Sequence, residues 1–163
     1  MMHELVIIIA KYFLLISLVV SLVIWLKLVR NDKRKFILQA ILGAILTLAL
    51  AKLGSKLFYD PRPFVVGHFT PYFSHSADNG FPSDHTLLTS FLAILVFNYN
   101  RQAGIGLFVV ALAVGLSRVV AGVHHLADII GSIVFAIIGY YVAVWLIGLI
   151  LNRINKPIAR VSD

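Results

Sequence analysis

Long apolar runs dominate this chain and restrict the structures that it can adopt. They cover residues 5–28, 36–58, 85–97, 103–120 and 126–151 and are separated by polar segments. A helix needs about 20 apolar residues to cross the hydrocarbon layer of a bilayer. Only 13% of the 163 residues are charged, about half the share found in soluble domains. The sequence therefore predicts an all-α, polytopic transmembrane bundle with about five spans, forming one domain over residues 1–163.

Positive charges gather in alternate connections between these runs. They cluster in a basic loop at 30–35, at Arg101 and in the tail 152–163, whereas the opposite connections carry only Arg62 and Arg118 as strong positive charges. Lys and Arg are enriched in cytoplasmic loops. We therefore expect an outer N-terminus and a cytoplasmic C-terminus, which places both histidine-bearing connections at one outer face.

The charge and cysteine content exclude several kinds of site. The net charge of +7 follows from the basic loops, so it reflects orientation in a membrane, and no nucleic-acid-binding pattern is present. The chain has no cysteine, which excludes disulfides and thiolate metal sites. We also expect no bound metal, because the sequence shows no clear carboxylate cluster.

The most informative polar stretch is SRVVAGVHHLAD at residues 117–128. His124 and Asp128 are four residues apart, a spacing that puts both on one face of a helix. A carboxylate bonded to one imidazole nitrogen leaves the other nitrogen free to attack, and Arg118 could grip an anion. The alternative is a polar turn between two membrane helices.

Two further segments carry groups that suit a phosphate. KLFYDPRP contains Lys56 and Arg62 at the end of the second apolar run, where anchoring to lipid headgroups is the alternative role. FPSDH has the character of a helix start, with Ser83 as a donor and His85 as a proton carrier, or simply as a cap and an interfacial histidine. Together the three segments suit phosphoryl transfer through a phosphohistidine, which needs cations, a nucleophile and an acid.

These segments resemble the three signature motifs of the type 2 phosphatidic acid phosphatase (PAP2) superfamily. The third motif matches fully: Ser117-Arg118, five residues, His124, three residues, Asp128. The first motif usually has six residues between Lys and Arg-Pro, and Lys56 leaves five. Lys52, one turn earlier, is a possible substitute.

The longer strings PRPFVVGH and HSADNGFPSDH are similar to bacterial undecaprenyl pyrophosphate phosphatases of the bacitracin-resistance type. This resemblance implies hydrolysis of undecaprenyl pyrophosphate to the monophosphate, which recycles the carrier lipid for cell-wall synthesis. It places the active site at the outer face of the bacterial cytoplasmic membrane and implies no cofactor. Members usually have six spans, so this chain corresponds to a five-helix core.

The resemblance also implies roles for individual residues. His124 is the nucleophile, Asp128 orients it, and His85 protonates the leaving group and then activates water. Asp84 stands where many members have glycine. The residues implied to hold the phosphate are Arg62, Arg118, Ser83 and Lys56, and possible headgroup contacts are Asp84, His75 and Asp78.

Other functions stay open on the sequence alone. The same residues could serve a phosphatase for phosphatidylglycerophosphate or phosphatidic acid, or a lipid phosphotransferase. A small transporter or a structural membrane protein is a different class, but it does not explain why three charged segments share one face. Trapping a phosphorylated His124 would separate the two classes.

Overall fold

The computed structural model describes residues 1–154, and its elements in this range are helices. The expected basic tail falls partly outside the described residues, including Lys156 and Arg160. Helix boundaries agree with the apolar runs except at the second run. The helices are α1 (Met2–Lys27), α2 (Arg30–Leu57), α3 (Pro63–Val66), α4 (Asp84–Phe97), α5 (Arg101–Val120) and α6 (Leu126–Ile154).

The basic segment at 30–35 is helical, so its prediction as a loop is wrong. Leu28 and Val29, both extended, reverse the chain between α1 and α2. A longer loop is unnecessary because Lys and Arg side chains can reach the polar interface from a helix. Lys33 lies over the Trp25 ring, with its Nζ 5.5 Å from the ring centroid, which ties the start of α2 to the end of α1.

Four helices in residues 1–154 are long and apolar enough to cross a membrane, namely α1, α2, α5 and α6. Many of their large apolar side chains are exposed, as expected for surfaces that face lipid. α4 has only 14 residues, a length of about 21 Å. It packs against α1, α2, α5 and α6 and contains many of the most buried side chains. The chain is thus a multi-pass helical membrane protein built around a short central helix.

Small residues set the distance between α2 and α6. A Cβ on Gly139 would lie 2.8 Å from the Cα of Thr47, so the two backbones pass in close contact. Such small-residue contacts are the usual way in which membrane helices pack. Because α2 carries Lys52 and α6 carries Asp128, this contact also fixes two parts of the site relative to each other.

The segment between α2 and α4 folds back over the end of α2. Asn79 holds it there, since its side-chain amide donates to the carbonyl oxygens of Ser55 at 2.8 Å and Phe58 at 3.0 Å. The Asn79 Oδ1 accepts from the backbone N–H groups of Asp60 at 2.9 Å and Phe81 at 3.0 Å. This one side chain therefore closes the loop that brings the KLFYDPRP and FPSDH segments close together.

Cavities lie at both ends of α4. The larger, of about 640 Å³, is at its N-terminus and is described below. The smaller, of about 380 Å³, lies beside the α4–α5 turn and is lined by Asn98, Tyr99 and Gln39, among others. There the Tyr99 hydroxyl donates to Gln39 Oε1 at 2.7 Å.

Candidate active site

The larger cavity gathers groups from all three motif segments. It is bounded by the end of α2, the loop before α4, the first turn of α4 and the C-terminal end of α5. His85 and His124 both line it, so the two imidazoles face one space, as the sequence predicts. Its charged and titratable lining residues are Lys52, Arg62, His75, Asp78, Asp84, His85, Arg118 and His124.

His124 lies in the tight turn that joins α5 to α6. The turn depends on Gly122, which has a φ of 77°, a left-handed conformation that glycine adopts without a steric cost. The Val123 N–H donates to the Arg118 carbonyl at 3.2 Å and closes the end of α5. The chain then enters α6 at Leu126, which places His124 at the cavity and Asp128 behind it.

Asp128 fixes the tautomer of His124. The His124 Nδ1 lies 3.1 Å from Asp128 Oδ2, and the same oxygen accepts from the His125 backbone N–H at 2.9 Å. A hydrogen on Nδ1 leaves the Nε2 lone pair free, and Nε2 lies 3.3 Å from Arg62 Nη1. Burial lowers the pKa of His124, and Arg118 and Arg62 lower it further against the opposing effect of Asp128. These effects favour the neutral form of the His124 ring, with Nε2 as its unprotonated nitrogen.

Arg62 is fixed beside His124 by acceptors within the protein. Its side chain is almost fully buried and donates from Nε to Asp78 Oδ1 at 2.8 Å and from Nη1 to the Val123 carbonyl at 2.8 Å. Partial burial alone would raise the pKa of Asp78, but the hydrogen bond from Arg62 acts against this effect, and on balance the pKa is lowered. Asp78 thus supplies a negative charge to Arg62 at the solvent side of the cavity, where its own side chain is 61% exposed.

Arg118 is a second buried cation at this cavity. Its Nη1 donates to the Ala10 carbonyl of α1 at 3.2 Å, and its guanidinium lies over the Phe73 ring at 5.8 Å. Its Nε is buried and has no acceptor within residues 1–154. A buried guanidinium with a free donor is well suited to an anion such as a phosphate.

His75 and Asp84 complete the charged lining. His75 Nε2 lies 3.2 Å from Arg118 Nη2, and its ring lies edge-on to that of His124 with centroids 6.0 Å apart. Burial lowers the pKa of His75, as do Arg62 and Arg118, so it can accept from Arg118. Asp84 lies close enough to Arg118 for an electrostatic attraction, so its carboxylate has a cationic neighbour in the site.

Two residues of the predicted phosphate-binding set do not line the cavity. Lys52 and Lys56 are both exposed near the end of α2, but only Lys52, one turn deeper, lines the cavity. Ser83 is fully buried, and its Oγ accepts from Thr86 Oγ1 at 3.1 Å. Lys52, the possible substitute for Lys56, thus lines the cavity, whereas the Ser83 hydroxyl is turned into the protein.

Sequence reasoning did not identify a polar cluster behind Asp128. His125 Nδ1 lies 3.1 Å from Asp60 Oδ2, and Asp60, His125 and Asp128 offer oxygen or nitrogen atoms within 4.8 Å of one another. Burial and the nearby Asp128 raise the pKa of Asp60, which His125 partly offsets. Asp60 and His125 are 65 residues apart, and only the acidic residue before Pro61-Arg62 gave a signal that could have been noticed.

Comparisons with known proteins agree with this architecture. The fold is similar to that of LpxE from Aquifex aeolicus, with a TM-score of 0.69, 22% identity, and coverage of 87% of this chain and 86% of that one. It is also similar to a transmembrane PAP2-type phosphatidylglycerolphosphate phosphatase from Bacillus subtilis, with a TM-score of 0.61, 20% identity, and coverage of 96% and 79%.

Sequence relatives lead to the same group of proteins. Undecaprenyl-diphosphatase BcrC of Bacillus subtilis (strain 168) is 35% identical over 130 residues, which are 80% of this chain and 67% of the relative. The putative undecaprenyl-diphosphatase YbjG of Escherichia coli (strain K12) is 30% identical over 139 residues, or 85% and 70%. A sequence profile described as the PAP2 superfamily matches residues 34–154, which contain all three motif segments. The chain therefore belongs to the PAP2 superfamily.

Proposed function

We propose that this protein hydrolyses undecaprenyl pyrophosphate to undecaprenyl phosphate and inorganic phosphate through a phosphohistidine. The observation that carries the proposal is the arrangement around His124. Its Nε2 lies 3.3 Å from Arg62 Nη1, and the residue lines a cavity together with two buried arginines and His85. The names of the BcrC and YbjG relatives support the choice of lipid.

The chemistry follows from the positions of these groups. The Nε2 lone pair of His124 attacks the terminal phosphorus, and the bond from that phosphorus to the bridging oxygen breaks. The leaving oxygen takes a proton from His85. The hydrogen on His124 Nδ1 stays on that nitrogen and remains hydrogen-bonded to Asp128. His85 then removes a proton from water, which attacks the phosphohistidine and releases phosphate.

Cations at the cavity wall stabilise the transferring group. Arg62 and Arg118 are fixed by protein acceptors, so they need little reorganisation when negative charge develops on the equatorial oxygens. Lys52 adds a third positive charge from α2. With charge stabilisation supplied by side chains, we expect activity to survive a strong chelator.

The location of the site follows from the charge asymmetry of the chain. Lys27, Arg30, Lys33 and Arg101 lie at the end of the bundle opposite the cavity. Lys and Arg are enriched on the cytoplasmic side, so we place the cavity at the outer face of the bacterial cytoplasmic membrane.

Phosphate release from purified protein tests the proposal. The panel is undecaprenyl pyrophosphate, undecaprenyl phosphate, phosphatidylglycerophosphate and phosphatidic acid, each assayed with and without EDTA. We expect the highest kcat/KM with undecaprenyl pyrophosphate, no effect of EDTA, and a loss of at least about 1,000-fold in His124→Gln. A higher kcat/KM with a glycerolipid phosphate would contradict the proposed substrate. Phosphate release by wild type no faster than by His124→Gln would contradict the proposed enzymatic activity.

Trapping the intermediate tests the mechanism separately. Wild-type protein is mixed with substrate labelled in its terminal phosphate, and the reaction is quenched under alkaline conditions that preserve phosphohistidine. We expect the label on His124. In His85→Ala the label should appear more slowly and also be lost more slowly than in wild type, because this variant lacks both the acid for the leaving group and the base that activates water. The label should be absent from His124→Gln. Label on another residue would contradict the assignment of the nucleophile.

A further inference from the structure

One oxygen of the carboxylate that orients His124 lacks a partner. Asp128 is fully buried, and its Oδ2 accepts from the His125 backbone N–H and from His124 Nδ1. Its Oδ1 is also buried and has no hydrogen-bond donor within residues 1–154. A buried, unsatisfied acceptor is costly, so a donor that binds Oδ1 would stabilise this arrangement.

The Asp60 carboxyl group lies next to the Asp128 carboxylate and is the candidate for that donor. Its backbone is fixed on both sides, because its N–H donates to Asn79 Oδ1 at 2.9 Å and its carbonyl accepts from the Gly80 N–H at 2.8 Å. Its side chain contacts His125 Nδ1 at 3.1 Å and lies beside the Asp128 carboxylate. Burial and the Asp128 charge raise the pKa of Asp60, which favours the protonated form of this group.

Building on the proposed phosphatase function, we infer that Asp60 is a positioning residue that carries a proton and donates it in a hydrogen bond to Asp128. The proton stays between the two carboxyl groups throughout turnover, so it balances no step of the reaction. Its role is to keep Asp128 turned toward His124 with both oxygens satisfied. A carboxylic acid that is kept neutral so that it can donate is a known use of a raised carboxyl pKa.

The groups that face Asp60 determine how this arrangement depends on pH. Asp128 faces it from α6 and His125 from the α5–α6 turn, while Arg62 follows it by two residues and contacts His124 on the far side of Asp128. As the pH rises through the raised pKa of Asp60, the shared proton is lost. Two adjacent carboxylates then repel each other, and Asp128 is less well held against His124. This role of Asp60 therefore predicts a decline of kcat on the alkaline side of that pKa.

Two substitutions at Asp60 test this role through the pH profile of phosphate release from undecaprenyl pyrophosphate. Asp60→Asn keeps a neutral donor at every pH, so we expect kcat within about 3-fold of wild type at neutral pH and loss of the alkaline decline assigned to Asp60. Asp60→Ala leaves Oδ1 unsatisfied, and we expect kcat to fall about 10- to 100-fold with little change in KM. Asp32→Asn, at the other end of the bundle, is the matched control and should behave as wild type.

Several outcomes would overturn the inference. Asp60→Asn as impaired as Asp60→Ala would show that a negative charge, not a donor, is needed at this position. An unchanged alkaline decline in Asp60→Asn would show that the decline belongs to another group. A response to Mn²⁺ or Zn²⁺ that wild type shows and Asp60→Asn lacks would assign the cluster to a cation instead of a proton.

A spectroscopic readout separates this inference from the proposed function. The infrared spectrum of protein labelled with ¹³C-aspartate should contain a carboxylic acid C=O band at neutral pH that is absent in Asp60→Asn. If wild type hydrolyses none of the lipids, the phosphatase proposal fails, and this band still reports whether Asp60 is protonated. If wild type is active and the band is missing, the Asp60 assignment alone fails.

Discussion

At the scale of single residues, two lysines one helical turn apart differ in what they can contact. Both are exposed, but Lys52 lines the cavity, whereas Lys56 lies at the end of α2 and does not. A charged hydrogen bond to phosphate contributes about 1.5–3 kcal/mol, so Lys52→Ala should lower kcat/KM by about 10- to 100-fold. Lys56→Ala, as the matched control, should stay within about 2-fold. A larger loss of kcat/KM in Lys56→Ala than in Lys52→Ala, measured by phosphate release, would show that Lys56 is the lysine of the first motif.

The acidic limb of the pH–rate profile should also depend on one residue, His124, the proposed nucleophile. In the proposed mechanism His124 attacks only when it is neutral, and burial together with Arg118 and Arg62 lowers its pKa below the ordinary value of 6.5. Activity is therefore retained as the pH falls through 6.5 and is lost only as it passes the lowered pKa of His124. The acidic limb of log kcat/KM should lie below 6.5, and a limb above that value would contradict a neutral, buried His124.

The sequence predicts which residues come together at the cavity better than it predicts their contacts. Motif spacing identifies Arg62, His85, Arg118 and His124, and all four line one cavity. The spacing does not show that Ser83 is turned inward toward Thr86, because hydroxyl burial depends on how α4 packs. It also cannot pair Asp60 with His125, since the two approach only after the loop and the α5–α6 turn have folded.

At the scale of helices, the contact between α2 and α6 offers a clean test of packing. A Cβ at Gly139 would meet the backbone of Thr47, whereas one at Gly148, in the same helix, would meet nothing within 4 Å. Overpacking of this kind costs about 1–3 kcal/mol. Gly139→Ala should therefore unfold at a lower temperature in detergent than wild type, and Gly148→Ala should not. Equal melting temperatures for the two variants would contradict the close approach of α2 and α6.

Helix ends show where sequence patterns lose information. The apolar runs locate α4, α5 and α6 to within a few residues, but α2 begins at Arg30, six residues before its apolar run. Charged residues are compatible with a helix at the membrane interface, so hydropathy underestimates its length. The role of α1 is likewise hidden, since its Ala10 carbonyl binds Arg118 although α1 precedes the region that matches the family.

At the scale of the whole molecule, the two ends of the bundle should be reached from opposite sides of the membrane. Ser74 is exposed beside the cavity, and Gln102 is exposed in the first turn of α5 at the other end. Because the chain has no cysteine, Ser74→Cys and Gln102→Cys each create a single thiol. A membrane-impermeant maleimide added to intact spheroplasts should label Ser74→Cys and spare Gln102→Cys until the cells are lysed. The opposite pattern would invert the proposed orientation.

The short central helix has a consequence for how a lipid reaches the site. A hydrocarbon layer is about 30 Å thick, but the part of the bundle between its two cavities is only as long as α4, about 21 Å. The two polar cavities therefore enter the bundle from its two ends and are separated by about the length of α4. Under the proposed function, a diphosphate headgroup can enter the larger cavity while its isoprenoid chain stays among the acyl chains, so the substrate need not be extracted from the bilayer.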